Sequence, residues 1–327
     1  MKKRRKKYGW GLIGPGRFAR EFVEELRLIP GAELVAVASR SERKAEAFAR
    51  EFGFQSSYGA YEELVADPDV DIVYIAVPHV FHDEIARLAI GNGKAVFCEK
   101  PLTPSLRSTR ELLAYAENEG VFLMEGMKTG FLPAIARAKE WIAGGSIGQV
   151  KLGYADFCFT GSQDPSDRLL NPELGGGAVL DVGIYPLHLM RLLLGEIETV
   201  EATGELASTG VENSVAMIAA HAGGARSCMT CSIQSEESMG ARILGTEGEI
   251  RIPKFHAATS IELLKGGEVV NRLDDDSGGM VKGEIVAAMA ALDEGMIQCP
   301  GHSHEDTLAL AGLMETVIGK VRGNHRN

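Results

Sequence analysis

Gly11-Leu12-Ile13-Gly14-Pro15-Gly16-Arg17-Phe18-Ala19 decides how the first third of this chain is built. An apolar run, Tyr8 to Ile13, stops at Gly14. A helix-like stretch follows, with Phe18, Phe22, Leu26 and Ile29 at spacings of three and four. Strand, glycine turn and helix open a βαβ unit. In the pattern G-x-G-x-x-A, Gly14 permits the tight turn, Gly16 lets the backbone approach a pyrophosphate, and Ala19 is small enough for close helix–strand packing. The free N–H groups at the helix start then face an anion. Gly14, Pro15, Gly16, Arg17 and Phe18 are therefore expected along the phosphates of a dinucleotide. The motif is common in isolation; its place between a first strand and a first helix makes it informative.

Outward from this loop the alternation continues. Strand-like runs occur at 8–13, 32–39, 70–78 and 94–100, apolar nearly throughout, with helix-like stretches between them. This predicts a doubly wound Rossmann domain over residues 8–127. Past residue 127 the pattern changes to longer strand-like stretches, with a hairpin signal at Gly223-Gly224 and a turn at Glu247-Gly248. Residues 128–327 are expected to form an α+β domain with an open, largely antiparallel sheet that binds substrate and dimerises. A last helix closes the chain, with Ser303 as its N-cap. Residues 1–7 hold the run Lys2 to Lys7 and read as a disordered basic tail.

The 327 residues carry a net charge of −11, which argues against general nucleic-acid binding. No stretch approaches the roughly 20 apolar residues of a spanning helix, so no membrane partner is expected. The twin arginines Arg4 and Arg5 resemble an export signal, but Gly14 to Arg17 interrupts any apolar segment after them. Five scattered cysteines imply reduced thiols and a cytoplasmic location. Cys228 and Cys231 form a single C-x-x-C with no second pair or nearby histidine, so no metal is expected.

The end of the second strand reads a cofactor's ribose. An NAD site usually offers a carboxylate there. This chain offers Ser39 and Arg40, with Arg43 on the next helix, a set that suits a 2′-phosphate; NADP is expected over NAD. Further on, Phe97-Cys98-Glu99-Lys100-Pro101-Leu102 ends a strand with an acid, a base and a proline. A half-desolvated lysine at a strand's carboxyl end is costly unless paired or functional. The bland reading is a rim salt bridge to Glu99; the functional one is a lysine at the ligand, because ligands bind outside these strand ends. In "AVLDVGIYPLHLM", Asp181, Tyr185 and His188 lie four and three residues apart, on one face of an otherwise apolar helix. They line a cavity or form satisfied core hydrogen bonds, the latter weighing most for His188. The glycines of "GGGA" before them are expected to let the chain pass close to the ligand.

Taken together, Gly14-Pro15-Gly16, "AVPHVFH" (76–82), "EKP" (99–101), "GGGAVLDVGIYPLH" (175–188) and "GTEGEIRIP" (245–253) resemble the glucose–fructose oxidoreductase, inositol dehydrogenase and rhizopine-catabolism (Gfo/Idh/MocA) family, nearest its dihydrodiol and NADP-dependent xylose dehydrogenase subgroup. The resemblance spans nearly the whole chain. It implies that Lys100 lies beside the nicotinamide and contacts the substrate oxygen, that Tyr185 and Asp181 complete the catalytic set, and that Pro78, His79, His82 and Glu99 lie at the cofactor. For His82 a structural cap is an equal alternative. It further implies hydride transfer between NADP and the carbinol or carbonyl carbon of a sugar, polyol or cyclic diol, and a homodimer or dimer of dimers. Redox-neutral glycosidic cleavage and a non-catalytic NADP-sensing regulator are the alternatives. Two departures bear on substrate: Lys128 and Gly130 stand where the subgroup has an aromatic residue and an arginine, and "MVKGEI" near 280 lacks a customary tyrosine. Lys128 and His188 are accordingly candidate substrate contacts.

Overall fold

β1 (Tyr8–Ile13) is buried along its whole length, as a strand covered on both faces must be. The computed structural model describes residues 7–275 and 279–325. The expected tail, residues 1–7, lies outside them except Lys7, whose Nζ pairs with Glu33 at 2.5 Å.

The chain divides into two units, Met1–Met127 with Val281–Leu308, and Lys128–Met280 with Ala309–Asn327. In the first unit β1 leads to α1 (Arg17–Leu26), β2 (Ala32–Ala38), α2 (Glu42–Phe52), β3 (Ser56–Tyr58), α3 (Tyr61–Ala66), β4 (Ile72–Ile75), α4 (His82–Gly91), β5 (Ala95–Glu99), α5 (Leu106–Glu119) and β6 (Leu123–Gly126). The six strands are all parallel in the order β3-β2-β1-β4-β5-β6. Strand order reverses between β1 and β4, and sheets of this kind bind ligands outside the carboxyl ends of the strands at such a point. Phe22 stacks on Tyr74 at 3.6 Å, with Trp10 and Phe97 beside them, and this cluster fixes α1 against the sheet.

The division falls between Met127 and Lys128, and a later stretch groups with the first unit. Val281–Leu308, which holds α8 (Lys282–Asp293) and the start of α9 (His304–Asn324), returns to the first unit. Its partners lie far off along the chain, which is why local periodicity does not reveal them. The Glu25 carboxylate accepts from Val281 N and Lys282 N (2.9 and 2.7 Å), capping α8. Tyr8 Oη donates to Asp293 at 2.9 Å, and Leu123 N donates to Ile297 O at 3.0 Å. Ser303 caps α9 as expected, accepting from Asp306 N.

The second unit contains α6 (Pro133–Ala143), β7 (Val150–Thr160), α7 (Ile184–Leu194), β8 (Ile197–Leu206), β9 (Glu212–His221), β10 (Arg226–Ser232), β11 (Gln234–Ser238), β12 (Ala241–Gly245), β13 (Glu249–Ile252), β14 (Ser260–Lys265) and β15 (Glu268–Asp274). They form a nine-stranded sheet in the order β15-β14-β13-β12-β7-β10-β9-β8, with β11 also on β7. Only β7 and β10 pair in parallel. The hairpin expected at Gly223-Gly224 joins β9 to β10. α7 packs on one face, over β7 and β10. On the other face Ile218, Cys228 and Tyr154 stand in one row, exposed, with Arg242 and Arg251 continuing it. The helical stretch Pro172–Leu194 is long and apolar enough to cross a membrane, which the sequence reading does not anticipate; 83% of its apolar window is buried inside the protein, as for a core helix.

Candidate active site

The glycine loop does what its residue types predict. Gly14 has φ +92°, and a Cβ there would stand 2.7 Å from Ala76 O. Gly16 is the N-cap of α1 and has ordinary backbone angles; a Cβ there meets nothing closer than 3.9 Å, so its open side faces away from the protein. α1 has no side-chain cap and no acidic residue in its first turn, leaving its first N–H groups for an anion. Pro15 is half-buried, Arg17 exposed and Phe18 half-buried along the same turn. Ser39, Arg40 and Arg43 follow β2. Ser39 Oγ accepts from Ser41 N at 3.2 Å, and the Arg40 guanidinium lies 5.7 Å from the Phe81 ring centroid. Open glycine, uncapped helix and basic strand end fit an NAD(P) dinucleotide.

At the carboxyl end of β5, Glu99 and Lys100 are both half-buried. Glu99 Oε1 accepts from Tyr74 Oη at 2.8 Å, and burial, then the Glu99 charge, push the Tyr74 hydroxyl well above its ordinary range. The Lys100–Pro101 bond is cis. Pro78 and His79 lead into α4, and the His79 ring lies 6.4 Å from that of His82. His82 itself is buried, with Nδ1 3.0 Å from Pro101 O and Nε2 2.9 Å from Val77 O. His82 thus lies within hydrogen-bond distance of backbone carbonyls after both β4 and β5 and ties those two loops together. Burial dominates and lowers its pKa.

The second group belongs to the other unit. Residues Val179–Gly183 form a π-helical turn, not the α-helix that the spacing implies. Ile184 N reaches back to Val179 O, the five-residue step of a π turn, and Pro186, two residues into α7, has no N–H to donate. Asp181 sits in this turn, half-buried, and its Oδ1 accepts from Arg168 Nη1 at 2.9 Å. Tyr185 is 7% exposed, beside Phe157 (5.2 Å between centroids) and His256 (6.1 Å). His256 is carried by a tight turn after Lys254, which is held at φ +45°. His188 is buried, and a Cβ at Gly130 would lie 3.2 Å from its Nε2, so the small residue at 130 makes room for the imidazole. Lys128 is buried and donates to Met280 Sδ at 3.5 Å. The two departures noted in the sequence thus meet in space.

Two of the "GGGA" glycines are required by close packing within the protein. A Cβ on Gly177 (φ +133°) would stand 2.2 Å from Glu212 Oε2, and one on Gly176 2.7 Å from Leu169 O. They admit a fully buried carboxylate and the backbone of Leu169. Glu212 is held by Arg322 at 3.0 Å, and burial raises its pKa. Glu212, Arg168 and His256 have no motif to mark them; only the fold brings them to the Asp181–Tyr185 segment.

A dinucleotide cradle on a doubly wound sheet, followed by a mixed sheet with a polar helix face, defines an NAD(P)-dependent oxidoreductase. Residues 8–127 match the oxidoreductase family with an NAD-binding Rossmann fold, and residues 135–251 match the Gfo/Idh/MocA C-terminal domain. The chain belongs to this family. Trans-1,2-dihydrobenzene-1,2-diol dehydrogenase of Mus musculus is 37% identical over 263 residues, 79% of this chain and 78% of the mouse protein. Among solved structures, levoglucosan dehydrogenase in complex with NADH and levoglucosan aligns with TM-score 0.86 at 21% identity, covering 97% of this chain and 98% of that one. A 3-ketoreductase from Actinomadura kijaniata in complex with NADP and TDP-benzene aligns at 0.87 with 25% identity, over 97% and 98% of the two chains.

Proposed function

We propose that the protein transfers hydride between NADP and the carbinol or carbonyl carbon of a cyclic diol or sugar. The nicotinamide, when bound, supplies the hydride acceptor or donor. Lys100 holds the substrate oxygen where negative charge grows, Tyr185 moves the proton at that oxygen, and Asp181 orients a neighbouring hydroxyl. A tyrosine's ordinary pKa near ~10 is too high for ready proton release at neutral pH, and in this proposal the Lys100 ammonium lowers it. Arg168 holds Asp181 in place. Lys128 and His188 flank the substrate.

The observation that carries the reading is a half-buried lysine at the carboxyl end of β5, on the sheet edge that also bears the glycine loop. Ser39, Arg40 and Arg43 support NADP over NAD, because no carboxylate stands among those three positions. The diol in the name of the mouse relative supports the substrate class. The exposed Ile218–Cys228–Tyr154 row, rimmed by arginines, has the apolar centre and charged border of an interface, and we assign it to a second copy of this chain. Five cysteines outside any disulfide support a cytoplasmic location.

The test is NADPH formation from NADP with trans-1,2-dihydrobenzene-1,2-diol and a panel of aldoses. Net reduction with at least one member is expected. Tight NADP binding with no net turnover on any member would favour a regulator or a redox-neutral enzyme instead.

A further inference from the structure

The Pro101–Leu102 peptide, directly after Lys100, is gripped at both ends by buried side chains. His82 Nδ1 lies 3.0 Å from Pro101 O, and Leu102 N donates to Glu125 Oε1 at 2.8 Å. The second carboxylate oxygen of Glu125 accepts from His302 Nε2 at 2.9 Å, and Thr307 Oγ1 lies 3.2 Å from the same nitrogen. Leu102, Glu125, His302 and Thr307 are each at most 3% exposed. His302 belongs to the returning segment Val281–Leu308, 177 residues along the chain from Glu125.

Holding a single backbone N–H does not require this. A carboxylate in so dry a place costs several kcal/mol unless every oxygen is paired. A backbone carbonyl or a serine satisfies an amide without that cost. What the pair adds is stiffness: two charge-assisted bonds in series fix the peptide plane next to Lys100 from a rigid strand, β6, and from a distant segment at once.

We propose that Glu125 and His302 are positioning residues for Lys100, and that the returning segment closes the first unit in order to lock this lysine. The inference rests on Lys100 being the catalytic lysine, and its test is arranged so that the two fail separately. A misplacement of about 1 Å at a reacting group costs on the order of 10²-fold in rate.

The experiment compares Glu125→Ala, Glu125→Gln, His302→Asn and Tyr8→Phe. Tyr8→Phe loosens the same segment at Asp293 without touching the Leu102 peptide. The readouts are NADP affinity, kcat and KM with NADP and trans-1,2-dihydrobenzene-1,2-diol, and the ¹³C resonance of reductively methylated Lys100, assigned with Lys100→Arg. Glu125→Ala and His302→Asn are expected to shift that resonance and lower kcat by about 10²-fold, with KM and NADP affinity little changed. Glu125→Gln, whose amide still accepts from Leu102 N while donating to the other tautomer of His302, is expected to restore most of the rate. Tyr8→Phe is expected to lower the melting temperature and leave the resonance in place. If Glu125→Ala does not fold, the comparison of Glu125→Gln with His302→Asn decides. An unmoved Lys100 resonance in His302→Asn, or an equal shift in Tyr8→Phe, overturns the inference. A moved resonance in a protein that turns over neither the diol nor any aldose of the panel upholds the positioning and refutes the catalytic reading instead.

Discussion

Replacing each loop glycine by alanine separates what the fold needs from what the cofactor needs. At Gly14 an alanine must adopt φ +92°, which costs roughly 1–2 kcal/mol. Its Cβ would also stand 2.7 Å from Ala76 O, a backbone atom that cannot swing aside, adding about 1–3 kcal/mol of overpacking. A gain of about 0.4–1 kcal/mol from the stiffer unfolded chain offsets part of this. Gly14→Ala should therefore destabilise the first unit by roughly 1–4 kcal/mol. At Gly16, φ −94° and ψ −169° suit any residue, and the nearest atom is 3.9 Å away. Stability should change by no more than about 0.5 kcal/mol. The new methyl occupies the approach to the α1 N–H groups, and losing one charge-assisted bond there costs about 1.5–3 kcal/mol, or roughly 10- to 150-fold in NADP Kd. Thermal melts without cofactor and calorimetric NADP titrations measure the two effects. A Gly16→Ala protein that melts like Gly14→Ala, or that binds NADP as the wild type does, refutes the reasoning.

Other outcomes follow from single contacts. Arg40→Ala should weaken NADP by about 1.5–3 kcal/mol and leave NAD nearly unchanged, read by titration of both cofactors. Light scattering should give at least twice the 35.1 kDa chain mass at micromolar concentration, and Ile218→Glu should return a monomer if the exposed row is the contact. The Arg242 guanidinium first, and Arg251 next, hold the Glu249 carboxyl at about 2 against its ordinary 4.5. A depressed folded-state pKa stabilises above the unfolded value and is lost as pH falls through the folded one. Urea unfolding of wild type should thus lose stability between pH 4.5 and 2 that Glu249→Gln never had, and equal acid profiles would count against the pair.

The sequence shows the fold wherever a local period carries it. Four of the parallel strands announce themselves as apolar runs, and the glycine loop is legible from its place between a strand and a helix. β3 and β6, three and four residues long, are too short to show a period. The return of Val281–Leu308 is hidden because Glu25, Tyr8 and Glu125 meet their partners across more than 170 residues. Within the candidate site, Lys100 stands out as a charge where an apolar strand ends. The face shared by Asp181, Tyr185 and His188 is legible only approximately, because a 3.6-residue period does not foresee the π turn at Val179–Gly183. The purpose of Gly177 is not legible at all: the residue that needs it, Glu212, lies 35 residues further on, at the start of β9.

The most direct measurement is steady-state kinetics of Tyr185→Phe, Lys100→Ala and His188→Ala on whichever diol or sugar the wild type oxidises, with NADP affinity determined separately. A placed proton carrier contributes ~10²–10⁴-fold. The account predicts a loss of kcat of that size for Tyr185→Phe, at least as large a loss for Lys100→Ala, a smaller one for His188→Ala, and unchanged NADP binding for Tyr185→Phe. Normal turnover by Tyr185→Phe beside an inactive His188→Ala would contradict it and make His188 the proton carrier.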